Sequence, residues 1–306
     1  MSADLLAQAA AQAAGAQQYP AGALYVVATP IGNLADLSLR AVHVLGLVDA
    51  IACEDTRTTA PLLRHLGLHK PLLAVHEHNE REAVDGIAQR LQRGERIALV
   101  SDAGTPAVSD PGARLVAGLQ AAGCRCVPIP GASSSVTALS VAGDAHAQGF
   151  RFVGFVPPKG EARRAAVQAL AGQPDSQVLF EAPHRVVDLI GLLAEAAPAQ
   201  RLTVAREITK QFESIHTAPC ADWPARLKAD ANAERGEFVL VLHAAPPAVA
   251  EGGLPAEALR ALKLLVAELP LKQAVGLAAQ LSGAPRNALY QQALAWRQAG
   301  GDDPAE

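Results

Sequence analysis

Three short segments combine glycine, proline and small polar residues directly after runs of apolar residues. They are Thr29–Asn33 (TPIGN), Ser101–Pro106 (SDAGTP) and Pro128–Ser133 (PIPGAS). Each precedes a segment with helical periodicity, so each is predicted to connect a buried strand to a helix. In an open α/β sheet, ligands bind where such loops meet at the carboxyl ends of the strands. Any one loop could simply turn the chain, whereas three together favour a ligand site.

The composition of these loops disfavours a phosphate-rich nucleotide. The chain contains neither G-x-G-x-x-G nor G-x-x-x-x-G-K-[ST]. The carboxylates of Asp102 and Asp110 would repel a pyrophosphate, but they suit ribose hydroxyls, an amine or a positive centre. S-adenosylmethionine offers all three groups and no phosphate. The loops are compatible with this cofactor, although their composition alone does not name it.

Ionisable residues follow three other apolar segments, in Glu54–Arg57 (EDTR), Glu181–Arg185 (EAPHR) and Arg206–Lys210 (REITK). Side chains at strand ends reach a cleft, where a carboxylate is a candidate general base. The alternative is that these charges only solvate the starts of helices. Asp55 or Thr56 could likewise serve as a helix N-cap.

A metal site is not predicted. His76 and His78 lie in the segment HEHNE, but two histidines alone make a weak site. The four cysteines include no C-x-x-C pair, which argues against a zinc ribbon and a disulfide framework. They are Cys53, Cys124, Cys126 and Cys220.

The patterning of the chain predicts an α/β protein of several parts. Short apolar runs alternate with helical patterns from about residue 24 to residue 141, which predicts a mostly parallel sheet covered on both faces. Alternating strands follow, and then a helical region with breaks at Leu269-Pro270 and Ser282-Gly283. We therefore divide the chain into a mobile tail (1–22), an N-terminal α/β domain (23–143), a mixed α/β domain (144–244), a linker (245–255) and a helical domain (256–299).

The charge balance excludes a protein that coats nucleic acid by charge alone. The 26 Lys and Arg residues against 30 Asp and Glu residues give a formal charge of −4, although a local basic patch remains possible. No Lys or Arg precedes Arg40, which argues against a signal or transit peptide. Because no apolar run approaches the length of a membrane span, we expect a soluble, cytoplasmic protein.

Ordered sequence blocks carry a resemblance to a known family. The chain resembles the bacterial ribosomal RNA small subunit methyltransferase I family, a branch of the tetrapyrrole methylase superfamily, from about residue 24 to residue 243. Its C-terminal segment 271–296 is similar to the small helical domain of the same proteins. The blocks are LYVVATPIGNLADLSLR (24–40), ACEDTR (52–57), HEHNE (76–80), LVSDAGTPAVSDPG (99–112), PIPG (128–131), GFVPPK (154–159), EAPHR (181–185), REITK (206–210) and GEFVLVL (236–242).

The resemblance implies a fold, a reaction and partners. The fold is the two-domain tetrapyrrole-methylase-like (class III methyltransferase) α/β fold with a small helical C-terminal domain, usually dimeric, with S-adenosylmethionine between the domains. The reaction is methylation of a cytidine 2′-hydroxyl, cytidine 1402 in standard numbering, in the decoding region of 16S ribosomal RNA in the 30S subunit. The residues that match cofactor positions, with Asp102 added for its chemistry, are Ile31, Asp102, Ala103, Gly104, Thr105, Val108, Ser133, Ser134, Glu181 and Ile208.

A ribose hydroxyl is a weak nucleophile, so its methylation should benefit from a general base. The candidates for catalytic groups are Glu54 or Asp55, then Glu207, with Lys210 stabilising the developing alkoxide. RNA contacts are expected from basic residues, namely Arg57, Lys159, Arg163, Arg164, Arg185, Arg206, Lys272 and Arg286. The alternatives are a methyltransferase acting on a tetrapyrrole and a non-catalytic RNA-binding factor with the same fold. Asn33 stands where tetrapyrrole enzymes usually carry Asp, which favours the ribosomal branch.

Overall fold

The computed structural model describes residues 2–76, 79–246 and 254–299. Its first part alternates strands and helices. The elements are α1 (Ala3–Ala14), β1 (Ala23–Val27), α2 (Leu39–Leu47), β2 (Ala50–Cys53), α3 (Thr56–His65), β3 (Leu72–Ala74), α4 (Glu80–Gln92), β4 (Ile97–Val100), α5 (Ala113–Ala121), β5 (Arg125–Ile129) and α6 (Ser134–Ala142). None of the helices in the described part of the chain is both long and apolar enough to span a lipid bilayer.

The first sheet is parallel and has the strand order β3-β2-β4-β1-β5. Both faces are covered, because Leu24 packs with Leu115 on one side while Tyr25 packs with Val44 on the other. The neighbouring strands β4, β1 and β5 all end at the same edge, and the three glycine- and proline-containing loops begin there.

The second part forms a mixed sheet of order β6-β7-β10-β8-β9. Its elements are β6 (Phe150–Phe155), α7 (Gly160–Leu170), β7 (Ser176–Glu181), α8 (Pro183–Ala196), β8 (Arg201–Arg206), β9 (Ser214–Pro219), α9 (Trp223–Ala229) and β10 (Phe238–Leu242). Strand β10 is antiparallel to both β7 and β8, and Phe238 pairs with Glu181 on one side and Arg206 on the other. The first residue of β10 therefore lies between the last residues of β7 and β8.

An apolar core joins the two α/β parts. Ile31 and Ala138 from the first part pack with Val178, Ile208 and Val239 from the second. Burying these side chains fixes helix α6 against the second sheet. The edge of the first sheet that carries the loops is thereby held opposite the ends of β7 and β8.

The N-terminal segment differs from the prediction of a mobile tail. Residues 3–14 form α1, which packs against α2, and Ala10 and Ala14 are buried. Ser2 caps the helix through its hydroxyl, and the Tyr19 hydroxyl donates to the Ala14 carbonyl at 3.0 Å. The small alanine side chains let α1 approach the neighbouring helix closely, so an alanine-rich segment that has little tendency to form a core alone is anchored by packing.

Three helices end the described chain: α10 (Ala256–Glu268), α11 (Leu271–Ser282) and α12 (Arg286–Ala299). They have a core of their own, which includes Leu254, Leu262, Val275 and Leu289. The helices end at the predicted breaks, since Pro270 precedes α11 and Gly283 ends it in a left-handed conformation. Residues 247–253 of the predicted linker lie outside the described residues.

Candidate active site

Hydrogen bonds tie the three loops at the edge of the first sheet to one another. The backbones of Thr29 and Gly104 exchange two bonds of 2.9 and 3.1 Å, and the Thr29 hydroxyl donates to the Ser101 carbonyl at 3.1 Å. The Thr105 hydroxyl donates to the Ala132 carbonyl at 3.0 Å. The predicted loops therefore form one bonded unit, in which Gly104 and Thr105 link the loops.

A cavity of about 400 Å³ lies between this unit and the second sheet. From the first part it is lined by Ile31, Ala103, Ser109, Asp110 and Ser134. From the second part it is lined by Phe155, Phe180, Glu181, Ala182, Pro183, Ile208, Glu237, Phe238 and Val239. Its size is within the usual range for small-molecule sites, which often lie between domains. We call it the cleft cavity.

The lining of the cleft cavity fits S-adenosylmethionine. The rings of Phe155 and Phe180 offer apolar faces for a purine, and the Asp110 carboxylate offers an acceptor for hydroxyl or ammonium groups. Among the described residues that line the cavity, none is Lys or Arg, as expected for a ligand without phosphate.

Five of the ten predicted cofactor residues line the cleft cavity: Ile31, Ala103, Ser134, Glu181 and Ile208. The other five lie close by without lining it. Asp102 faces a second cavity, Val108 is half exposed, and the Ser133 hydroxyl lies 3.0 Å from that of Ser135. The sequence analysis did not select the aromatic wall or Glu237, although the run GEFVLVL marked the start of a buried strand that could have indicated them.

Acidic side chains gather where β2 and β4 end. Strand pairing places Cys53 beside Val100, so Glu54 and Ser101 are the next residues at the same edge. Burial raises the pKa of Glu54, and the negative charges of Asp102 and Asp110 raise it further. Burial also raises the pKa of Asp110. A hydrogen bond from Ser101 partly opposes this increase, and the negative charge of Asp102 adds to it. Raised carboxyl pKa values are typical of functional sites.

Asp55 has a different role from Glu54. Its carboxylate caps α3 by accepting from the Arg57 backbone at 2.7 Å, and it also forms an ion pair with the Arg57 guanidinium at 2.6 Å. These hydrogen bonds from Arg57 lower the pKa of Asp55. Since its lone pairs are engaged and its basicity is reduced, Asp55 is a weaker candidate for a general base than Glu54.

The segment after β8 is held in a strained conformation beside the cleft. Glu207 and Thr209 have positive φ values of 53° and 69°, which non-glycine residues rarely adopt and which often mark functional sites. Lys210 Nζ donates to carboxylates of Glu207 and Glu237, each at 3.0 Å. Lys210 is thereby tied to a residue that lines the cleft cavity.

These contacts oppose a role for Glu207 as the base. Burial of Glu207 favours its neutral form, but hydrogen bonds from the Glu237 backbone and from Lys210 outweigh it and lower the pKa of Glu207. The pKa of Lys210 is raised, because its pairing with Glu237 and Glu207 outweighs its own burial. Lys210 is therefore a stable cation at this edge.

The structure corrects the prediction that Arg163 binds RNA. Its side chain is 2% exposed and forms ion pairs with Glu181 at 2.9 Å and Asp188 at 2.7 Å. It also donates to the carbonyls of Pro157 and Arg185. A guanidinium that is buried and fully engaged cannot reach a phosphate, so Arg163 instead holds Glu181 at the wall of the cleft cavity.

The other predicted RNA contacts lie on or near the surface at separate places. Arg57, Lys159 and Arg164 are exposed. Arg185 is partly buried and pairs with Glu181 at 2.6 Å, whereas Arg206 pairs with Asp230 at 3.0 Å. Lys272 and Arg286 lie in the C-terminal helices, where both line two cavities of about 740 and 530 Å³.

The segment HEHNE (76–80), whose two histidines were considered as metal ligands, is only partly described by the structure. Glu77 and His78 lie outside the described residues. Asn79 Oδ1 accepts from the His76 backbone at 2.8 Å, and buried Glu80 accepts from the Gly112 backbone. These contacts give Asn79 and Glu80 structural roles at the start of α4.

Comparisons with solved structures agree with this architecture. The methyltransferase CobJ superposes with a TM-score of 0.54 at 17% identity, covering 73% of this chain and 95% of that one. Cobalt precorrin-4 methyltransferase gives 0.53 at 15% identity, covering 74% and 98%. Diphthine synthase gives 0.53 at 14% identity, covering 72% and 89%. At such identities the likeness shows the fold alone.

Comparisons of sequence are more specific. Residues 23–224 match the family model Tetrapyrrole (Corrin/Porphyrin) Methylases, and residues 252–297 match the model RsmI C-terminal HTH domain. Ribosomal RNA small subunit methyltransferase I of Escherichia coli O157:H7 is 47% identical over 89% of this chain and 95% of its own length. Its namesakes from Pseudomonas aeruginosa and Neisseria meningitidis serogroup B are 47% and 48% identical, over 90% of this chain and 97% and 94% of theirs. The chain therefore belongs to the ribosomal RNA small subunit methyltransferase I family.

Proposed function

We propose that this protein uses S-adenosylmethionine to methylate the 2′-hydroxyl of a cytidine in 16S ribosomal RNA, at cytidine 1402 in standard numbering. The observation that carries the proposal is the cleft cavity, in which an aromatic wall from the second sheet faces acidic and small polar residues from the first. The names of the curated relatives support ribosomal RNA of the small subunit as the substrate.

The cofactor would be held by both halves of the cleft. Phe155 and Phe180 provide the apolar faces, and Asp110 provides the acceptor. Ser134 follows Ser133, the N-cap of α6. The first backbone N–H groups of a helix have no partner within the helix, so they can donate to the carboxylate of the methionine part of the cofactor. Arg163 contributes indirectly, because it fixes Glu181 in the wall.

Glu54 is the residue that the structure favours as general base. When bound, S-adenosylmethionine supplies a sulfonium-linked methyl group, whose transfer to the 2′-oxygen leaves S-adenosylhomocysteine and releases the hydroxyl proton. Glu54 accepts that proton, and its raised pKa makes it a better acceptor than an ordinary carboxylate. Lys210 is a cation held by Glu207 and Glu237, and its charge can stabilise the developing alkoxide.

The RNA would be bound through separate basic surfaces, since the chain as a whole is acidic. Exposed Lys159 and Arg164 lie at the start of α7, and Lys272 and Arg286 line the cavities of the C-terminal helices. Contacts of this type with phosphates position the substrate without reading its sequence. The resemblance to the family further supports a cytoplasmic homodimer that acts on the 30S subunit.

The test is transfer of a labelled methyl group from S-adenosylmethionine to unmodified 30S subunits, followed by mapping of the modified nucleotide. The proposal expects label on the ribose of one cytidine, with none on subunits that already carry that methyl group. Binding of subunits without transfer would instead indicate a non-catalytic RNA-binding factor. Transfer to a tetrapyrrole but not to RNA would indicate the other alternative.

A further inference from the structure

A second cavity, of about 270 Å³, lies beside the cleft cavity at the same edge of the first sheet. It is bounded by the loops after β1 and β4 and by the first turns of α3. We call it the side cavity. None of the functions assigned above uses it.

Alternate residues of the same two loops face the two cavities. In the loop after β1, Pro30 and Gly32 line the side cavity while Ile31, between them, lines the cleft cavity. In the loop after β4, Asp102 lines the side cavity and Ala103 lines the cleft cavity. The two cavities therefore lie on opposite sides of the same two loops.

The walls of the side cavity suit a flat ring with polar edges. Pro30, Leu34, Pro61 and Leu62 provide apolar surfaces, which are the usual partners of an unstacked base. Thr59 is buried, and its hydroxyl lacks a nitrogen or oxygen partner within the described residues. The weakly hydrogen-bonding Cys53 thiol lies beside it. Because this hydroxyl is enclosed, the polar edge of a ligand would instead meet Thr58 and Asp102, which also line the side cavity.

Asp102 gives the side cavity a chemical preference. Its side chain is exposed, and one of its oxygens accepts a long hydrogen bond from the Asp55 backbone at 3.3 Å, while the other accepts no hydrogen bond from the described residues. A carboxylate in this position can accept from the exocyclic amino group of cytosine. In uracil the amino group is replaced by the O4 carbonyl, which is also an acceptor. The Asp102 carboxylate and O4 could not form a hydrogen bond, and a site whose polar group is left unpaired by a ligand discriminates against that ligand.

We propose that the side cavity binds the base of the target nucleotide and that Asp102 selects an amino-bearing pyrimidine over uracil. The inference rests on the proposed function, since it places the base on one side of the loops and the methyl donor on the other. It also gives Asp102 a role in binding substrate, in place of the predicted role in binding cofactor.

The test compares methyl transfer to 30S subunits that carry cytidine or uridine at the mapped position. The wild-type protein is expected to prefer cytidine by at least about tenfold in kcat/KM. Asp102→Asn is expected to reduce that preference to about threefold or less, because the amide can donate to uracil O4. The Kd for S-adenosylmethionine, measured by calorimetry, should stay within about twofold of wild type.

Two further variants protect the test against a local folding defect in Asp102→Asn. Leu34→Trp fills the side cavity and should lower kcat/KM on both substrates at least about tenfold with an unchanged Kd for S-adenosylmethionine. Asp36→Asn is the control: Asp36 is an exposed acid two residues after Leu34 and does not line the side cavity. This variant should have the kcat/KM, the cytidine preference and the Kd for S-adenosylmethionine of the wild type.

An unchanged preference for cytidine in Asp102→Asn, with normal cofactor binding, would overturn the inference. So would full activity of Leu34→Trp, or a loss of cofactor affinity in Asp102→Asn as large as its loss of transfer. In each of these cases the wild-type protein still methylates RNA, and the proposed function stands. If the wild-type protein methylates neither substrate, it is the proposed function that fails.

Discussion

Lys210 lies so close to Gly32 that a Cβ atom on Gly32 would come within 2.5 Å of Lys210 Cγ. Gly32 belongs to the loop after β1 and Lys210 to the segment after β8, so this contact joins the two halves of the cleft. Gly32 also has a φ of +153°, which side-chain-bearing residues rarely adopt. Glycine is thus required here both for the approach and for the backbone.

Gly32→Ala is therefore expected to open the cleft and weaken cofactor binding. We expect the Kd for S-adenosylmethionine to rise about tenfold and stability to fall by more than about 1 kcal/mol, because alanine at a positive φ is strained. Calorimetry and thermal unfolding measure the two effects. Gly86→Ala is the matched control: it lies in α4 with no atom within 4 Å of the added Cβ, and it should be neutral or slightly stabilising. Equal behaviour of the two variants would contradict the role of the Gly32 contact.

Glu54→Gln is expected to lower kcat by about 10²- to 10⁴-fold, since that is the usual contribution of a general base. Cofactor affinity should be unchanged. Asp55→Asn is the neighbouring control and should keep most of its turnover, because the amide can still cap α3. Single-turnover transfer to 30S subunits measures both. Full turnover in Glu54→Gln would remove Glu54 from the mechanism, and full turnover in both variants would leave the base unassigned at this edge.

The pH dependence of stability should report the burial of Asp110. Burial raises the pKa of Asp110 in the folded state, so its contribution to stability is fully present below the unfolded pKa and is lost as the pH rises through the folded pKa. Asp110→Asn removes this unfavourable charge, and we expect a higher Tm than wild type at pH 7. The difference should disappear below about pH 3, where the carboxyl is protonated in both states. A Tm difference that does not change with pH would exclude this explanation.

Substitutions of the adjacent arginines Arg163 and Arg164 on α7 should differ in their effect on stability. Arg163→Met removes the partner of Glu181 on α7 but leaves its ion pair with Arg185, so it should cost about 1.5–3 kcal/mol in the free energy of unfolding. Arg164→Ala, one residue away and exposed, should change stability by no more than about 0.5 kcal/mol. Denaturant unfolding distinguishes them. If Arg163→Met instead weakened only RNA binding, the buried position of Arg163 would be wrong.

The C-terminal helices should contribute to RNA binding independently of the cofactor. Replacing Lys272 and Arg286 with alanine is expected to weaken RNA binding and to reduce the dependence of log affinity on log salt by about one per lost phosphate contact. The Kd for S-adenosylmethionine should stay the same. Binding isotherms at several salt concentrations give the slope. A parallel loss of both affinities would point to a role of this region in folding.

Local sequence patterns were sufficient to predict most strands and the loops that follow them. Strands β1 and β4 are continuous apolar runs, and their carboxyl ends meet because parallel strands all end at one edge of their sheet. Helices α7 and α9 were not predicted. Proline at 157 and 158 before α7, and the short length of α9, obscured the helical pattern.

By itself, the sequence determined the family, the alternation of strands and helices, and the loops that bear the site, because these depend on residues close together in the chain. Tertiary structure alone decided which charges are buried. Arg163 and Arg164 are adjacent and identical in type, yet of the two only Arg163 contacts Glu181. These residues are 18 positions apart in the chain, and the packing of α7 against α8 brings them together. Tertiary structure also decided where the cleft cavity and the side cavity lie, because a cavity is formed by surfaces that meet only when distant segments pack together.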